Sequence, residues 1–227
     1  MLKTIGGWLF GGSCFLCRGK SAALLCAACD ADLPRLGEGL CPRCALTSPA
    51  GAVCGRCLVQ PPAYDATHAA IAYAFPGDVL IQALKFRGEL ALAPLLGDLL
   101  SKRVSNENIA CVVPVPLSAE RLRRRGYNQA LEIARTVATA TGVRLAPETC
   151  QRTRDTSEQI ELPIDARARN VRGAFECARL VEGANVAVLD DVMTTGATLH
   201  EIAAALKRAG AARVVNWVVA RTFPAHG

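Results

Sequence analysis

With 227 residues and 51% hydrophobic content, the chain can build one substantial core plus a small accessory module. A formal net charge of +6 leaves an anionic ligand, nucleic acid and plain solubility all open, while only three histidines, His68, His200 and His226, argue against a histidine metal site or a Cys-His nucleophile. No run approaches the roughly 18 uninterrupted apolar residues that a membrane span needs, so no membrane insertion is expected.

The opening stretch MLKTIGGWLFGG lacks a sustained apolar core with a small-residue cleavage site, so it does not read as a signal peptide. A cytoplasmic location with reduced thiols is therefore expected. Eleven cysteines would otherwise suggest a secreted disulfide scaffold, but their spacing argues against it. Eight of them form four Cys-x-x-Cys pairs: Cys14 and Cys17, Cys26 and Cys29, Cys41 and Cys44, Cys54 and Cys57. A two-residue gap lets both thiolates of a tight turn face one tetrahedral ion, and two such turns complete a four-sulfur shell. Two structural zinc sites follow. Sequential sharing, 14/17/26/29 and 41/44/54/57, keeps both loops short; interleaved sharing also satisfies the spacing. A module this small cannot bury a useful core without metal. Gln60, Pro61 and Pro62 make a stiff link, which places the domain boundary between residues 1–60 and 61–227.

Beyond the link, Ala69 to Phe75 reads as a strand ended by Pro76 and Gly77, and Asp78 to Phe86 as a helix. Lys85 and Arg87 project together near Gly88, as a solvated helix end would. A second helix is expected from about Leu90 to Lys102, a polar turn from Ser105 to Asn108, and a β-branched strand from Ala110 to Val115. Arg121, Arg123, Arg124 and Arg125 then crowd a surface loop ahead of Gly126. A loop leaving the carboxyl end of a parallel strand opens onto the ligand crevice of an α/β sheet, where guanidinium groups suit pyrophosphate oxygens. Gln129 to Ala140 is an amphipathic helix.

The segment between Cys150 and Phe175 is long, charged and interrupted by Pro163, which favours a lid. Arg152, Arg154, Thr156 and Gln159 supply its donors, while Arg167 and Asn170 can anchor its far side. Cys111, Cys150 and Cys177 lack pair spacing and read as structural.

Val186 to Thr198, VAVLDDVMTTGAT, is the most informative stretch. Its apolar start reads as a buried strand ending near Asp190. A hydroxyl-rich loop follows, and then a helix through Leu199, Ile202, Ala203, Leu206 and Ala209, stopped at Gly210. Strand, small loop and helix N-terminus can hold a phosphate. Asp190 and Asp191 would repel each other unless ribose hydroxyls or a hydrated metal ion used them. A strand from Arg213 to Ala220 is expected beside the central strands.

This stretch resembles the phosphoribosyl pyrophosphate (PRPP) loop of type I phosphoribosyltransferases. The resemblance implies that Asp190 and Asp191 bind the ribose hydroxyls and that Thr194, Thr195, Gly196, Ala197 and Thr198 wrap the 5′-phosphate. Nearly end to end, the chain resembles the ComF family. The match is carried by the cysteine pairs, Leu84-Lys85-Phe86, Val113-Pro114-Val115-Pro116, Arg125-Gly126-Tyr127-Asn128-Gln129, the Arg152-x-Arg154-x-Thr156-x-x-Gln159 segment with Asn170 and Ala174-Phe175, and the PRPP loop. It implies an α/β type I phosphoribosyltransferase domain, a Rossmann-like, mainly parallel sheet flanked by helices, preceded by a double zinc ribbon. Lys85, Arg125 and Gly126 would join the PRPP-binding set, and Arg154 and Gln159 would join Asp190 and Asp191 at the reacting centre. Mg²⁺ would come largely on the oxygens of PRPP. Competence members further imply partners in single-stranded DNA and the competence machinery.

Two readings follow. One is phosphoribosyl transfer from PRPP to an acceptor that no sequence motif names. The other is a module without turnover that senses PRPP, binds single-stranded DNA or engages a protein partner; with 5% aromatic residues, stacking platforms for DNA are scarce. Oligomeric state is open.

Overall fold

The computed structural model describes residues 12–104, 108–153, 171–178 and 182–224. Its strands in chain order are β1 (Ala66–Ala72), β2 (Ile109–Pro114), β3 (Arg144–Leu145), β4 (Cys150–Arg152), β5 (Phe175–Cys177), β6 (Asn185–Met193) and β7 (Arg213–Arg221). Its α-helices are α1 (Ala27–Ala31), α2 (Gly55–Val59), α3 (Gly77–Arg87), α4 (Leu92–Ser101), α5 (Ala119–Arg125), α6 (Gln129–Thr141) and α7 (Ala197–Arg208).

Among the described residues, β1, β7, β6, β2 and β3 form one parallel sheet in that spatial order. The residues of β7 from Val214 to Arg221 are all buried, so both of its faces are covered. Helices α4 and α6 pack on each other and on the sheet, closely enough that a Cβ on Gly97 would stand 2.6 Å from Thr136 Cβ. This is the mainly parallel α/β sheet with flanking helices that the resemblance implied.

Topology decides where the crevice lies. The chain leaves β2 through α5 and α6 to reach β3 on one side, whereas it leaves β6 through α7 to reach β7 on the other. Right-handed crossovers running in opposite directions place their helices on opposite faces. The loops after β2 and β6 therefore part, and the gap between them is the switch point where α/β sheets bind ligands. The ladder between these strands closes at Pro114 and Leu189, with the Val115 N–H donating to the Leu189 carbonyl at 2.9 Å. Asp190 and Asp191 come next.

Several boundaries differ from the sequence expectation. The first strand spans Ala66–Ala72 rather than Ala69 to Phe75, because it follows β7 from Ala66 opposite Val215. Strand β6 does not end near Asp190 but runs to Met193, because β7 continues to pair with it through Met193 opposite Arg221. The four arginines lie in helix α5 and its C-terminal turn rather than in a loop. Ser118 caps that helix by accepting from the Arg121 N–H at 3.3 Å, and Gly126, at φ +81°, ends it.

The cysteine module is docked on the sheet domain. Arg35 bridges to Ile71 of β1, the Ala72 N–H donates to the Pro34 carbonyl at 2.7 Å, and the Thr67 N–H donates to the Pro42 carbonyl at 3.0 Å. Strands β4 and β5 form a separate antiparallel pair in which Cys150 faces Cys177. Two cysteines with no pair spacing in the sequence thus become cross-strand neighbours. Arg154, Thr156, Gln159, Arg167 and Asn170 lie outside the described residues, as does most of the turn expected from Ser105 to Asn108.

Candidate phosphate and ribose site beside a metal centre

A cavity of about 800 Å³ opens at the carboxyl ends of β2 and β6. Lys85, Arg121, Arg124 and Arg125 line one side of it, Asp190 and Asp191 its floor, and Thr194 to Thr198 the other side. Tyr73, Phe86, Tyr127 and Arg152 also reach it. Of the site residues expected from sequence, Lys85, Arg125, Asp190, Asp191 and the loop are brought together. Gly126 serves as the αL stop of α5, and Arg154 and Gln159 fall outside the described residues.

The two carboxylates are not equivalent. Asp191 is buried and its Oδ2 stands 3.0 Å from Lys85 Nζ on α3. Burial would raise its pKa, but Lys85 and, more weakly, Arg125 hold it below the ordinary aspartate value. Burial likewise opposes charge on Lys85, and Asp191 with Asp190 outweighs it, so the ammonium is held above its ordinary value. Asp190 is half-buried; burial, then the neighbouring Asp191 charge, push it well above the ordinary range. The repulsion visible in the sequence is therefore resolved within the chain: Lys85 takes Asp191, and Asp190 is left as the carboxyl most responsive to a ligand.

The arginine side is built by hydrogen bonds that the short motif encodes. Asn128 Oδ1 caps α6 by accepting from Ala130 and Leu131 N–H groups at 3.0 and 3.4 Å, while its Nδ2 donates to the Val115 carbonyl at 3.0 Å. The Tyr127 hydroxyl donates to the Leu84 carbonyl, which ties this turn to α3 next to Lys85. Arg125 donates to Gln129 Oε1 and lies over the Phe86 ring, 5.7 Å from its centroid. Its guanidinium is thus oriented before any ligand arrives.

The Thr194 to Thr198 loop turns at Gly196, whose φ of +83° favours glycine. A Cβ there would also lie 2.7 Å from Met193 Cε and 2.9 Å from Tyr64 Oη. Helix α7 starts at Ala197 after Gly196, which has no side chain to cap it; Thr195 Oγ1 accepts from the Ala197 N–H at 3.3 Å, and the next N–H groups of the first turn are left to other acceptors.

Eight cysteines assemble into two sets, Cys14, Cys17, Cys26, Cys29 and Cys41, Cys44, Cys54, Cys57. Sharing is sequential. Within each set the sulfurs lie within 4.8 Å of one another, with Cys17 and Cys26 at 3.8 Å and Cys44 and Cys54 at 3.6 Å. A tetrahedron with Zn–S bonds of about 2.3 Å has edges of about 3.8 Å, so both sets fit structural zinc. In each set the knuckle backbone favours one thiolate, while Cys29, Cys44 and Cys57 are pushed up by burial and by their sulfur neighbours. N–H groups of Cys17 and Cys26 bring Cys14 down to about 6. Burial alone would raise Cys41, but N–H groups of Cys54, Cys44 and Arg43 hold it at about 7.

Residues 5–58 match the double zinc ribbon domain family. DNA utilization protein YhgH of Salmonella typhi is 36% identical over 225 residues, spanning 93% of this chain and 98% of that protein. Competence protein F of Haemophilus influenzae is 32% identical over 74% of this chain and 78% of that one.

The chain belongs to the ComF family.

Competence protein ComFC of Streptococcus pneumoniae is 27% identical over 87% of each chain. Among solved structures, a glutamine PRPP amidotransferase from B. subtilis overlaps 54% of this ComF-family chain at a TM-score of 0.38 and 25% identity; the chain spans 25% of that protein's length.

Sequence reasoning missed three residues around the Thr194 to Thr198 loop of this ComF-family chain. Arg221, 1% exposed at the end of β7, donates from Nη1 to the carbonyls of Met193 (2.8 Å), Thr194 and Thr222 (2.9 Å), and from Nε to the Cys44 carbonyl at 2.8 Å. Arg56, inside the last cysteine turn, donates to the Thr195 carbonyl at 3.0 Å. Tyr64 is buried against Gly196. The signal the sequence offers for Arg221 is a charged residue at the end of the apolar run Trp217 to Ala220.

Proposed function

We propose that this chain binds PRPP at the carboxyl ends of β2 and β6 and transfers its 5-phosphoribosyl group to an acceptor, releasing pyrophosphate. One observation carries the reading: a helix N-terminus with its hydroxyl loop, two carboxylates and the three arginines Arg121, Arg124 and Arg125 of α5 line a single cavity at the switch point of a parallel sheet. These groups match the parts of PRPP in order. Thr194 to Thr198 would receive the 5′-phosphate, Asp190 and Asp191 the ribose hydroxyls, and Arg125 with Arg121, Arg124 and Lys85 the pyrophosphate side.

Transfer through an oxocarbenium-like state at ribose C1 needs positioning and charge stabilisation rather than a protein nucleophile. The chain supplies both. Asp190 and Asp191 would fix the ribose from below, and the oriented Arg125 would stabilise charge developing on the leaving pyrophosphate. Arg154 and Gln159 would complete the reacting centre by excluding water. The half-buried Asp190 beside the Asp191 charge suits a hydrated divalent cation, and Mg²⁺ arriving on PRPP oxygens would supply charge neutralisation there. Two sets of free cysteine thiols suit a reducing cytoplasm. Among the described residues no helix is long and apolar enough to cross a membrane.

Calorimetry with PRPP and Mg²⁺ on zinc-loaded protein tests the binding step. Saturable heat that Asp190→Asn weakens supports it; absence of binding removes it. Pyrophosphate release across bases, nucleosides and DNA then tests transfer.

A second reading is favoured by the relatives, whose names refer to DNA utilization and competence. The basic α5 would track a single strand's phosphates and bring the competence machinery as a partner. Its binding would weaken steeply with salt and with removal of charge at Arg123 to Arg125. Salt-insensitive or undetectable binding would count against it.

A further inference from the structure

We infer that the second cysteine knuckle positions the phosphate loop: a metal held by Cys41, Cys44, Cys54 and Cys57 orders the main chain of Met193 to Thr195 through Arg221 and Arg56. Three successive loop carbonyls accept from these two guanidinium groups, Met193 and Thr194 from Arg221 and Thr195 from Arg56. Each arginine is also tied to a different turn of the same metal site. Arg221 donates from Nε to the Cys44 carbonyl in the first turn, and Arg56 sits between Cys54 and Cys57 in the second. Among the described residues no hydrogen bond joins the Cys14 set to the loop.

The direction of these bonds matters for an anion. A trans peptide points its N–H opposite to its C=O. Holding the carbonyls of Met193, Thr194 and Thr195 toward the knuckle turns the N–H groups of Thr194, Thr195 and Gly196 the other way, toward the main cavity. Backbone N–H groups presented together in this manner are what a phosphate binds. The knuckle reaches the loop without lining the main cavity: Arg56, Cys44, Cys57 and Tyr64 instead border a separate cavity of about 320 Å³ behind Thr195 and Gly196.

Losing that metal would free both turns, and with them the Cys44 carbonyl and the Arg56 guanidinium. The loop would then sample other peptide orientations, and its anion affinity would fall. For its functional consequence this inference rests on the reading of the loop as the PRPP phosphate site; the mechanical coupling stands apart from that reading and is read separately.

Hydrogen exchange of the backbone amides from 193 to 198, with amides of β2 as an internal reference and zinc content measured on each sample, tests the coupling. Cys54→Ser should lose one zinc and raise loop exchange by about tenfold or more relative to β2. Cys26→Ser, which dismantles the first site, should leave loop exchange at the wild-type rate. Arg56→Ala should keep both zinc ions yet raise exchange at Gly196 by several-fold, which guards against general unfolding in the cysteine variant. Unchanged loop exchange in both Cys54→Ser and Arg56→Ala, or an equal rise in Cys26→Ser, overturns the coupling. PRPP titration of the same samples should show about tenfold weaker affinity in Cys54→Ser. A wild-type protein that binds no PRPP removes the proposed function, while the exchange data still decide the coupling.

Discussion

Lys85 Nζ on α3 stands 3.0 Å from Asp191 Oδ2 on β6, with the two side chains 27% and 3% exposed. Removing the ammonium alone would leave a buried carboxylate without its counter-charge. Lys85→Met should therefore destabilise the protein by about 3–5 kcal/mol, and adding Asp191→Asn should restore most of that loss. Urea denaturation of the two variants reads the difference; equal stabilities of single and double variants would show that the pair is not coupled.

The same pair sets a pH window. Asp191 is held below its ordinary value, so its contribution is present above the unfolded value and is lost as pH falls through the folded one. Lys85 is held above its ordinary 10.5, so its contribution is complete below that value and is lost as pH rises through the folded one. Thermal melts of wild type should thus show stability falling at both the acid and the alkaline extreme, and Lys85→Met should remove the alkaline fall that belongs to the ammonium.

Asp190 carries the opposite sign. Its folded value is raised, so the folded state holds the proton more tightly and stability falls as pH climbs from the unfolded toward the folded value. Asp190→Asn should raise the melting temperature, more so at pH 8 than at pH 5, while weakening PRPP binding by about tenfold or more. A variant that is less stable at both pH values would contradict this electrostatic account.

Gly196→Ala combines a φ of +83° with a Cβ 2.7 Å from Met193 Cε and 2.9 Å from Tyr64 Oη. A cost of about 1–3 kcal/mol is expected, together with loss of anion affinity at the loop. Denaturant midpoints and PRPP calorimetry check the two parts separately.

Asn128→Ala removes both the cap of α6 and the bond to the Val115 carbonyl. It should cost about 1–2 kcal/mol. Tyr127→Phe, which loses only the hydroxyl bond to Leu84, should cost about 0.5–1.5 kcal/mol. Chemical denaturation of each variant provides the measurement, and a neutral Asn128→Ala would show that the motif serves the ligand rather than the helix.

The sequence by itself determined the elements whose signals are local. Cysteine pairs at two-residue spacing, the apolar β-branched run before Asp190, the helix stop at Gly210 and the amphipathic helix from Gln129 each depend on neighbours a few positions away, and the structure has them all. The sequence also brought Asp190, Asp191 and the Thr-Gly loop forward as one site. Tertiary structure alone decided what those residues touch. Lys85 and Asp191 lie 106 positions apart (191 − 85) and pair because a crossover lays α3 against the end of β6. Arg221 closes the mainly apolar strand β7, and its burial against Cys44, Met193 and Thr194 follows from the module docking on β1. Cys150 and Cys177 meet only through antiparallel register. Spacing encodes turns and caps because they close within a few residues; which buried charge answers another depends on how the sheet stacks its crossovers, and no short stretch of chain contains that.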